Sequence, residues 1–396
     1  MSEVREVVVV SGVRTAIGGY GGALKDVPPS ELAAQVVREA VRRARIEPAE
    51  IGALAFGHVI HTEAKDLYIS RVAAIDGGLP KETTAFAVNR LCGSGLQAIV
   101  SAAQAIVLGD ADAAVGGGVE SMSRGGYLLP ALRWGSRMND TSVVDMMVAA
   151  LTDPFDTTHM GITAENIAAQ WKISREEQDA FAVESHRRAI NAIEKGYFKE
   201  QIVPVELKTR KGTTVFDTDE HPRADASLEN LARLRAVFKK DGTVTAGNAS
   251  GINDGAAAVV LMEKMAAEKH GIRPLARLVS YGVAGVDSKL MGIGPVPAST
   301  RALHKAGLKV GDMDVIESNE AFAAQALAVA CDLKLDPGKT NPNGGAVALG
   351  HPVGATGAIL TVKALYELQR INGRYALVTM CIGGGQGIAA VFERLG

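Results

Sequence analysis

Four short stretches of this chain place chemically capable side chains in settings that simple core packing does not ask for. In NRLCGSGLQAIVSAAQAIV (Asn89 to Val107), Cys92 and a Gly-Ser-Gly stand at the front of an apolar helical run. At a helix start the unpaired N–H groups and the helix dipole favour negative charge, so a thiol there tends toward thiolate, its reactive form. A packed cysteine serving as a small hydrophobe fits the same stretch equally well. GGAVALGHPVGATG sets His351 among glycines immediately before a second helix, and CIGGGQG sets Cys381 at the end of an apolar strand with Gly383 two residues on. NEAFAAQA places Asn319 and Glu320 just after a strand ending at Glu317. Strand ends and the helix starts beside them converge in one crevice of a parallel sheet, so these four stretches are expected to meet.

The elements that must hold them recur twice. Val7 to Val10 is a β-branched run suited to a strand buried on both faces, followed by a helical pattern from Glu31 to Arg45 capped by Ser30. Ile51 to Phe56 reads as a strand, Cys92 to Leu108 as the apolar helix, and Ala113 to Val115 as a strand ending in Gly116-Gly117-Gly118. The last third repeats the order: an extended run from Leu275 to Ser280, a helix over Ser299 to Ala306, and a second helix over Thr356 to Gln369. AGLKVGDMDVI (Ala306 to Ile316) matches ARIEPAEIGAL (Ala44 to Leu54) in pattern, and NGRYALVTMCIGGG parallels LGDADAAVGGG. Two α/β halves with mostly parallel sheets, related by pseudo-twofold symmetry, follow from this repeat.

Between them, 122–251 breaks the pattern with Met/Arg/Trp-rich stretches, a charged helix from Ser174 to Lys195 and the polar segment KTRKGTTVFDTDEHPR. It reads as an inserted, loop-rich domain closed by AGNASGINDGAAAVVLM, whose strand rejoins the first half. The expected domains are 1–121 completed by 252–273, the insert 122–251, and 274–396.

Composition narrows the function. Forty-two basic against 44 acidic residues give a net charge of -2, and aromatics are only 5%, which argues against a nucleic-acid binder or an anionic-membrane partner. Cys92, Cys331 and Cys381 are too few and scattered for a disulfide framework or a zinc cage. His58 and His61 have the spacing of a weak metal pair, but no nearby acid or cysteine completes a site, so they read as loop histidines and no metal is expected. The N-terminus shows no signal-peptide pattern, and a cytoplasmic protein is expected.

The reactive stretches, in this order and spacing, resemble the active-site blocks of the thiolases, the acyl-CoA:acetyl-CoA C-acyltransferases. AGNASGINDGA resembles that family's pantetheine-contacting loop, and the resemblance spans essentially the whole chain, THMGITAEN of the insert included. Within the family it looks closest to bacterial biosynthetic β-ketothiolases that feed polyhydroxyalkanoate synthesis. The resemblance implies an α/β thiolase fold, two βαβ-rich halves forming a layered α/β/α/β/α core. It also implies reversible Claisen condensation of acetyl-CoA with acetyl-CoA or a short acyl-CoA, by a ping-pong route and with no cofactor beyond coenzyme A thioesters as substrates. Such a reaction needs a nucleophile to carry the first acyl group, which Cys92 would be, with His351 taking its proton. It needs a base for the α-proton of the second thioester, a role that falls to Cys381. By resemblance, one oxyanion site uses His351 and a water held by Asn319, and another uses the backbone N–H groups of Cys92 and Gly383.

The same resemblance makes His159 a pocket histidine, puts Ser250 and Ala246 on the pantetheine, and brings Arg223 to the nucleotide end of CoA. Phe238 and Phe322 are read as pantetheine and acyl-pocket walls or as plain core. Met160 and Met291, with His159 and Phe322, would line a short-acyl pocket. Glu320 would orient backbone within its turn, and Cys331 is a bystander. Asn230 and Ala358-Ile359 depart from close relatives, at a CoA-facing loop and behind His351. The family forms tight dimers, often paired into tetramers through a loop that here falls near Tyr127 to Asp140, so a homotetramer is expected. Competing readings are a degradative 3-ketoacyl-CoA thiolase of broader chain length, a ketoacyl synthase on carrier-protein thioesters, and a non-catalytic thiolase-like lipid carrier. The synthase is expected to lack Cys381, and the carrier to have a broken nucleophile or base.

Overall fold

The β-branched start of the chain is buried along its whole length in β1, Val7–Thr15. The computed structural model describes residues 5–209 and 212–395; Met1 to Val4 of the N-terminus read above, and Arg210 and Lys211 of the polar segment, lie outside the described residues. After β1 come α1 (Pro29–Ala44), β2 (Ile51–Gly57), α2 (Ile69–Asp76), β3 (Thr84–Val88), α3 (Ser94–Leu108) and β4 (Ala113–Ser121). The insert carries α4 (Met160–Trp171) and α5 (Arg175–Glu194), and β5 (Asn253–Glu263) returns the chain to the first half. The second half runs β6 (Ala276–Gly285), α6 (Pro295–Ala306), β7 (Val315–Ser318), α7 (Ala323–Leu333), α8 (Thr356–Ile371), β8 (Tyr375–Ile382) and β9 (Gln386–Arg394).

The strands lie in the order β3-β2-β4-β5-β1-β6-β9-β8-β7, so β2-β4-β5-β1 in one half mirrors β7-β8-β9-β6 in the other. The halves join where β1 meets β6, through Val8 with Arg277 and Val9 with Ala276. Ala53 faces Ala114 across β2 and β4, and Val315 faces Ala376 across β7 and β8. The same displacement along the chain takes Ser94 to Thr356 and Gly95 to Gly357 at the starts of α3 and α8. The repeat read from sequence is thus a repeat of strand order and register.

The expected mostly parallel sheets are corrected. Only β2 with β3 and β4, and β7 with β8, pair in parallel among these nine strands, while β5 and β9 run antiparallel to their neighbours. In the second half the reversal is a turn at Gly383–Gly385, with Gly384 at φ +79 and Gly385 at φ +86. The insert occupies the equivalent place in the first half, between β4 and β5. It is less loop-rich than expected: α4 and α5 are its longest elements, and Ile202–Val203 pairs in parallel with β1.

Two local readings also change. The glycine run lies inside β4 rather than ending it, because a Cβ on Gly116 would sit 2.6 Å from the Ile99 backbone and one on Gly118 2.2 Å from the Gly354 carbonyl. The missing side chains let α3 and the His351 turn lie directly on the strand. Helix α1 starts at Pro29, with proline at its first position and Ser30 inside the first turn rather than capping it.

Helices α3 and α8 pack on each other and against strands of both halves, with α1 and α2 against the first half and α6 against the second. This is the layered α/β/α/β/α arrangement. The segment Leu91–Leu108 is long and apolar enough to cross a membrane by composition, but it is a core helix here, with Leu96, Ile99 and Ile106 fully buried.

Candidate active site

Cys92 stands two residues before α3 rather than on its first turn, in a tight bend from Asn89 to Ser94. The bend forces Leu91 to φ +45, a conformation that costs a branched side chain energy and persists because its surroundings hold it. The Ser94 hydroxyl accepts the Arg90 N–H at 2.8 Å and donates to the Leu91 carbonyl at 2.7 Å, and the Asn89 side chain accepts the Leu91 N–H at 3.0 Å. The result is a half-buried sulfur facing a cavity.

The expectation of a resting thiolate is overturned. Burial pushes the Cys92 thiol up to about 11, against the pull of the Gly383 N–H and its own, with Glu120 adding to the rise. At neutral pH the sulfur keeps its proton until a base removes it.

His351 supplies an uncharged imidazole beside it on the cavity wall. Its ring is buried, and burial holds its pKa down to about 4. Nδ1 lies 2.6 Å from Oγ1 of Thr356, whose hydroxyl donates to the Pro352 carbonyl at 2.9 Å. That hydroxyl must therefore accept from Nδ1–H, which leaves the lone pair on Nε2. The Asn319 amide approaches Nε2 at 3.4 Å, while its buried Oδ1 has no hydrogen-bond partner among the described residues. The His351 N–H is held by Asn253 Oδ1 at 2.9 Å.

The two helix starts meet at the pseudo-twofold axis. A Cβ on Gly95 would lie 2.8 Å from the Ala358 nitrogen, and one on Gly357 2.3 Å from the Leu96 nitrogen, so the backbones touch with no room for side chains. Ala358 and Ile359, which follow Gly357, are both buried.

Cys92, His351 and Gly383 line a cavity of about 940 Å³. Cys381 and Asn319 do not line it; both are fully buried. Cys381 packs with Met160, Met291 and Phe322, and burial together with Cys92 drives its thiol far up. The cavity continues past His159, Met160, Phe238, Ala246, Ser250, Met291 and Phe322 to Arg223. His159 caps α4 by accepting the Gly161 N–H at 3.1 Å and stacks on Phe238 at 4.7 Å, so it is a wall of the cavity rather than an exposed loop residue. Phe238 meets Phe322 edge-on at 6.2 Å. Asn230 is exposed on a short helix, its side chain donating to the Asp225 carbonyl, and is not among the lining residues. Cys331 is exposed on α7.

Glu320 accepts from the Ser185 hydroxyl (2.7 Å), the Asn341 amide (2.8 Å) and the Val347 N–H (3.2 Å), which ties the Asn319 turn to the segment leading to His351. The reading of His58 as a loop histidine is corrected: it is buried between Glu120 and Asp66, with His61 stacked on it at 5.4 Å. The acids lay outside the sequence window around HVIH, Asp66 on the following turn and Glu120 on β4. Among the described residues no group of three or more His, Cys, Asp and Glu is arranged to hold a metal ion. Thr356, Asn253 and Glu120 were not among the expected site residues. A hydroxyl at the helix start in each half, Ser94 and Thr356, was the signal available for the first of them.

Residues 7–265 match the family described as thiolase, N-terminal domain, and residues 272–394 match thiolase, C-terminal domain. The chain is 66% identical over 392 residues to beta-ketothiolase BktB of Cupriavidus necator, covering 99% of this chain and 100% of that one. It is 51% identical to the acetyl-CoA acetyltransferase of Syntrophomonas wolfei, covering 99% of this chain and all of the other. The crystal structure of the Bacillus anthracis acetyl-CoA acetyltransferase superposes with a TM-score of 0.98 at 48% identity over 100% of both chains. Human mitochondrial 3-ketoacyl-CoA thiolase in complex with CoA superposes with a TM-score of 0.96 at 45% identity, over 99% of each.

Proposed function

This chain belongs to the thiolase family, and on that premise we propose that it joins acetyl-CoA to acetyl-CoA or a short acyl-CoA through an acyl group carried on Cys92. It is an acyltransferase whose reaction is the condensation of acetyl-CoA to a β-ketoacyl-CoA and CoA, reversible by thiolysis. The reading of its site rests on one observation: the Cys92 thiol and an uncharged imidazole line one cavity with Arg223, and a second thiol, Cys381, is buried among the wall residues Met160, Met291 and Phe322.

In the first half-reaction Nε2 of His351 takes the Cys92 proton as sulfur attacks the thioester carbonyl. The tetrahedral oxyanion is stabilised by donors fixed in advance, and collapse expels CoA thiolate, which takes the proton back from His351. In the second, Cys381 gives its proton to the neutral Nε2 of His351 and, as thiolate, removes the α-proton of an incoming acetyl-CoA, while the enolate oxygen is met by the Nε2–H so formed and a water on Asn319. The carbanion then attacks the acyl carbonyl, the C–S bond to Cys92 breaks, the Cys92 sulfur takes the proton from Nε2–H of His351, and the β-ketoacyl-CoA leaves. Burial raises the Cys381 thiol, so it keeps its proton at rest, and the thiolate, once formed by transfer to His351, is a strong base. No cofactor or metal takes part.

The physiological setting follows as part of the proposal. Short β-ketoacyl-CoA would feed polyhydroxyalkanoate synthesis in the cytoplasm, where three unpaired thiols persist, without nucleic-acid or membrane partners. A homotetramer is supported by the open sheet edge at β3, where Phe86 is 49% exposed, and by Leu132, Trp134 and Met138 exposed on the loop after β4. Light scattering tests that assembly. The activity is tested by adding CoA to acetoacetyl-CoA and following loss of the Mg²⁺-complexed β-ketothioester absorbance; no loss would end the proposal.

A further inference from the structure

Three ionisable side chains with almost no solvent exposure stand behind the cavity wall and have no part in the scheme above: His58 (1%), Asp66 (0%) and Glu120 (0%). Glu120, at the end of β4, gathers backbone N–H groups from both halves of the molecule. It accepts from Val59 and Ile60 at 3.1 Å each, in the turn after β2, and from Gly354 at 2.8 Å, in the turn that carries His351. The His58 ring stands behind the carboxylate, its Nδ1–H donating to the Val119 carbonyl at 3.0 Å and lying 3.3 Å from Glu120 Oε1, while Nε2 faces Asp66 Oδ2 at 3.7 Å. Asp66 is itself fixed by the Thr62 N–H at 2.6 Å and the Thr62 hydroxyl at 2.9 Å. The fit at Gly354 is close, since a Cβ there would lie 2.6 Å from Glu120 Oε2.

Gly354 sits between Pro352 and Thr356, the two residues whose hydrogen bond fixes the partner of His351 Nδ1. The Gly354 N–H thus belongs to the turn that holds the partner of the imidazole. Gly354 is also the positional counterpart of Cys92 in the duplicated half, so Glu120 grips the second helix start as the bend at Leu91 shapes the first.

We propose that Glu120, clamped by His58 and Asp66, is a positioning residue that sets the Pro352–Thr356 turn and so aims Nε2 of His351 at Cys92. The proposal rests on the roles assigned to Cys92 and His351 above. A carboxylate suits this position because it accepts from three N–H groups at once beside the His58 ring. A carboxamide of equal size has one acceptor oxygen and turns an NH₂ toward one of those donors.

The test compares Glu120→Gln, Thr356→Val and the double variant in thiolysis of acetoacetyl-CoA. Rates are expressed per acylatable Cys92, counted by acetyl incorporation in intact-protein mass spectra, so misfolded molecules drop out. Glu120→Gln is expected to lower kcat by about 10²-fold, as a misplaced catalytic group does, with KM for CoA within about twofold of wild type. Because both changes act through the ring of His351, the double variant should be no slower than the slower single one. A kcat per site within about threefold of wild type, or losses that multiply in the double variant, overturns the proposal. Should Glu120→Gln fail to fold, Glu120→Asp, whose shorter arm draws the carboxylate back from Gly354, is read on the same scale. Absence of acetyl on Cys92 in the wild type would instead defeat the underlying scheme, whatever Glu120→Gln does.

Discussion

The Thr356 hydroxyl accepts from Nδ1–H of His351 at 2.6 Å while donating to the Pro352 carbonyl, and this pair of bonds fixes which ring nitrogen is the base. Thr356→Val keeps the shape and removes the acceptor, leaving a buried N–H unpaired at a penalty of about 1–3 kcal/mol. The ring can escape by adopting the other tautomer, with its proton on Nε2 and no lone pair toward the sulfur. We expect kcat to fall by about 10-fold or more while KM stays within a few-fold, and Thr356→Ser to recover most of the loss. An unchanged kcat in Thr356→Val would remove this hydroxyl from the mechanism.

Cys92 is expected to carry the acyl group. Incubation with acetyl-CoA, an acid quench and peptide mapping should find acetyl on the peptide holding Cys92, and Cys92→Ser should lose activity by several orders of magnitude because a serine alkoxide is far harder to form. Acetyl on Cys381 alone would exchange the two roles.

Cys381→Ala should still be acetylated at Cys92, since that half-reaction uses only His351 and the oxyanion donors. Condensation should stop for want of a base at the α-carbon. Turnover at near the wild-type rate would show that another group takes that proton.

Buried and uncharged, His351 titrates near 4 rather than at its ordinary 6.5. A base that must be neutral to work then keeps working in mild acid, so the His351-dependent acid limb of kcat/KM should fall near pH 4. The same shift acts on stability. Between 6.5 and about 4 the unfolded chain binds a proton at this position and the folded chain does not, so stability is full above 6.5 and declines as pH falls through that window. The loss from this one group is roughly 3 kcal/mol. Urea midpoints at pH 7 and pH 5 should show a steeper decline for wild type than for His351→Asn; parallel declines would contradict the assignment.

Chain length should be set by the walls around the site, where Met160, Met291 and Phe322 are all buried. Each methylene buried gains about 0.8 kcal/mol, whereas displacing packed side chains takes about 1–3 kcal/mol, so selectivity should be graded and then drop. Acetoacetyl- and 3-ketovaleryl-CoA are expected to be good substrates by kcat/KM and 3-ketooctanoyl-CoA a poor one. Equal activity on the eight-carbon substrate would point to an open acyl channel.

What sequence could and could not give divides along a physical line. Cys92, His351, Cys381 and Asn319 stood out in the sequence because each sits in a short block whose glycines and polar groups are neighbours along the chain, and the structure puts Cys92 and His351 on one cavity wall. The duplication was legible because strand and helix spacing repeats. Strand direction was not: a buried β-branched run reads the same in either sense, and the antiparallel return of β9 depends on a three-glycine turn. The glycines of β4 misled because their reason is the close approach of α3 and the Gly354 turn. His58 was misread because its partners come from other elements, and Cys92 was assigned the wrong resting charge because its partial burial, with Glu120 adding, outweighs the pull of the Gly383 and Cys92 N–H groups.

The backbone contact of Gly95 with Ala358 and of Gly357 with Leu96 leaves the two halves no play against each other. A joint of this kind has no jaws: neither half can swing aside to admit or release a thioester. Exchange of substrate must then be a threading motion along the cavity, and any gate on turnover belongs to its mouth, where Tyr20 and Val237 line the opening and are 62% and 58% exposed. A covalent tether holding the halves together would leave the rate untouched, while bulk attached at Tyr20 or Val237 would slow the passage of CoA and spare the chemistry at Cys92.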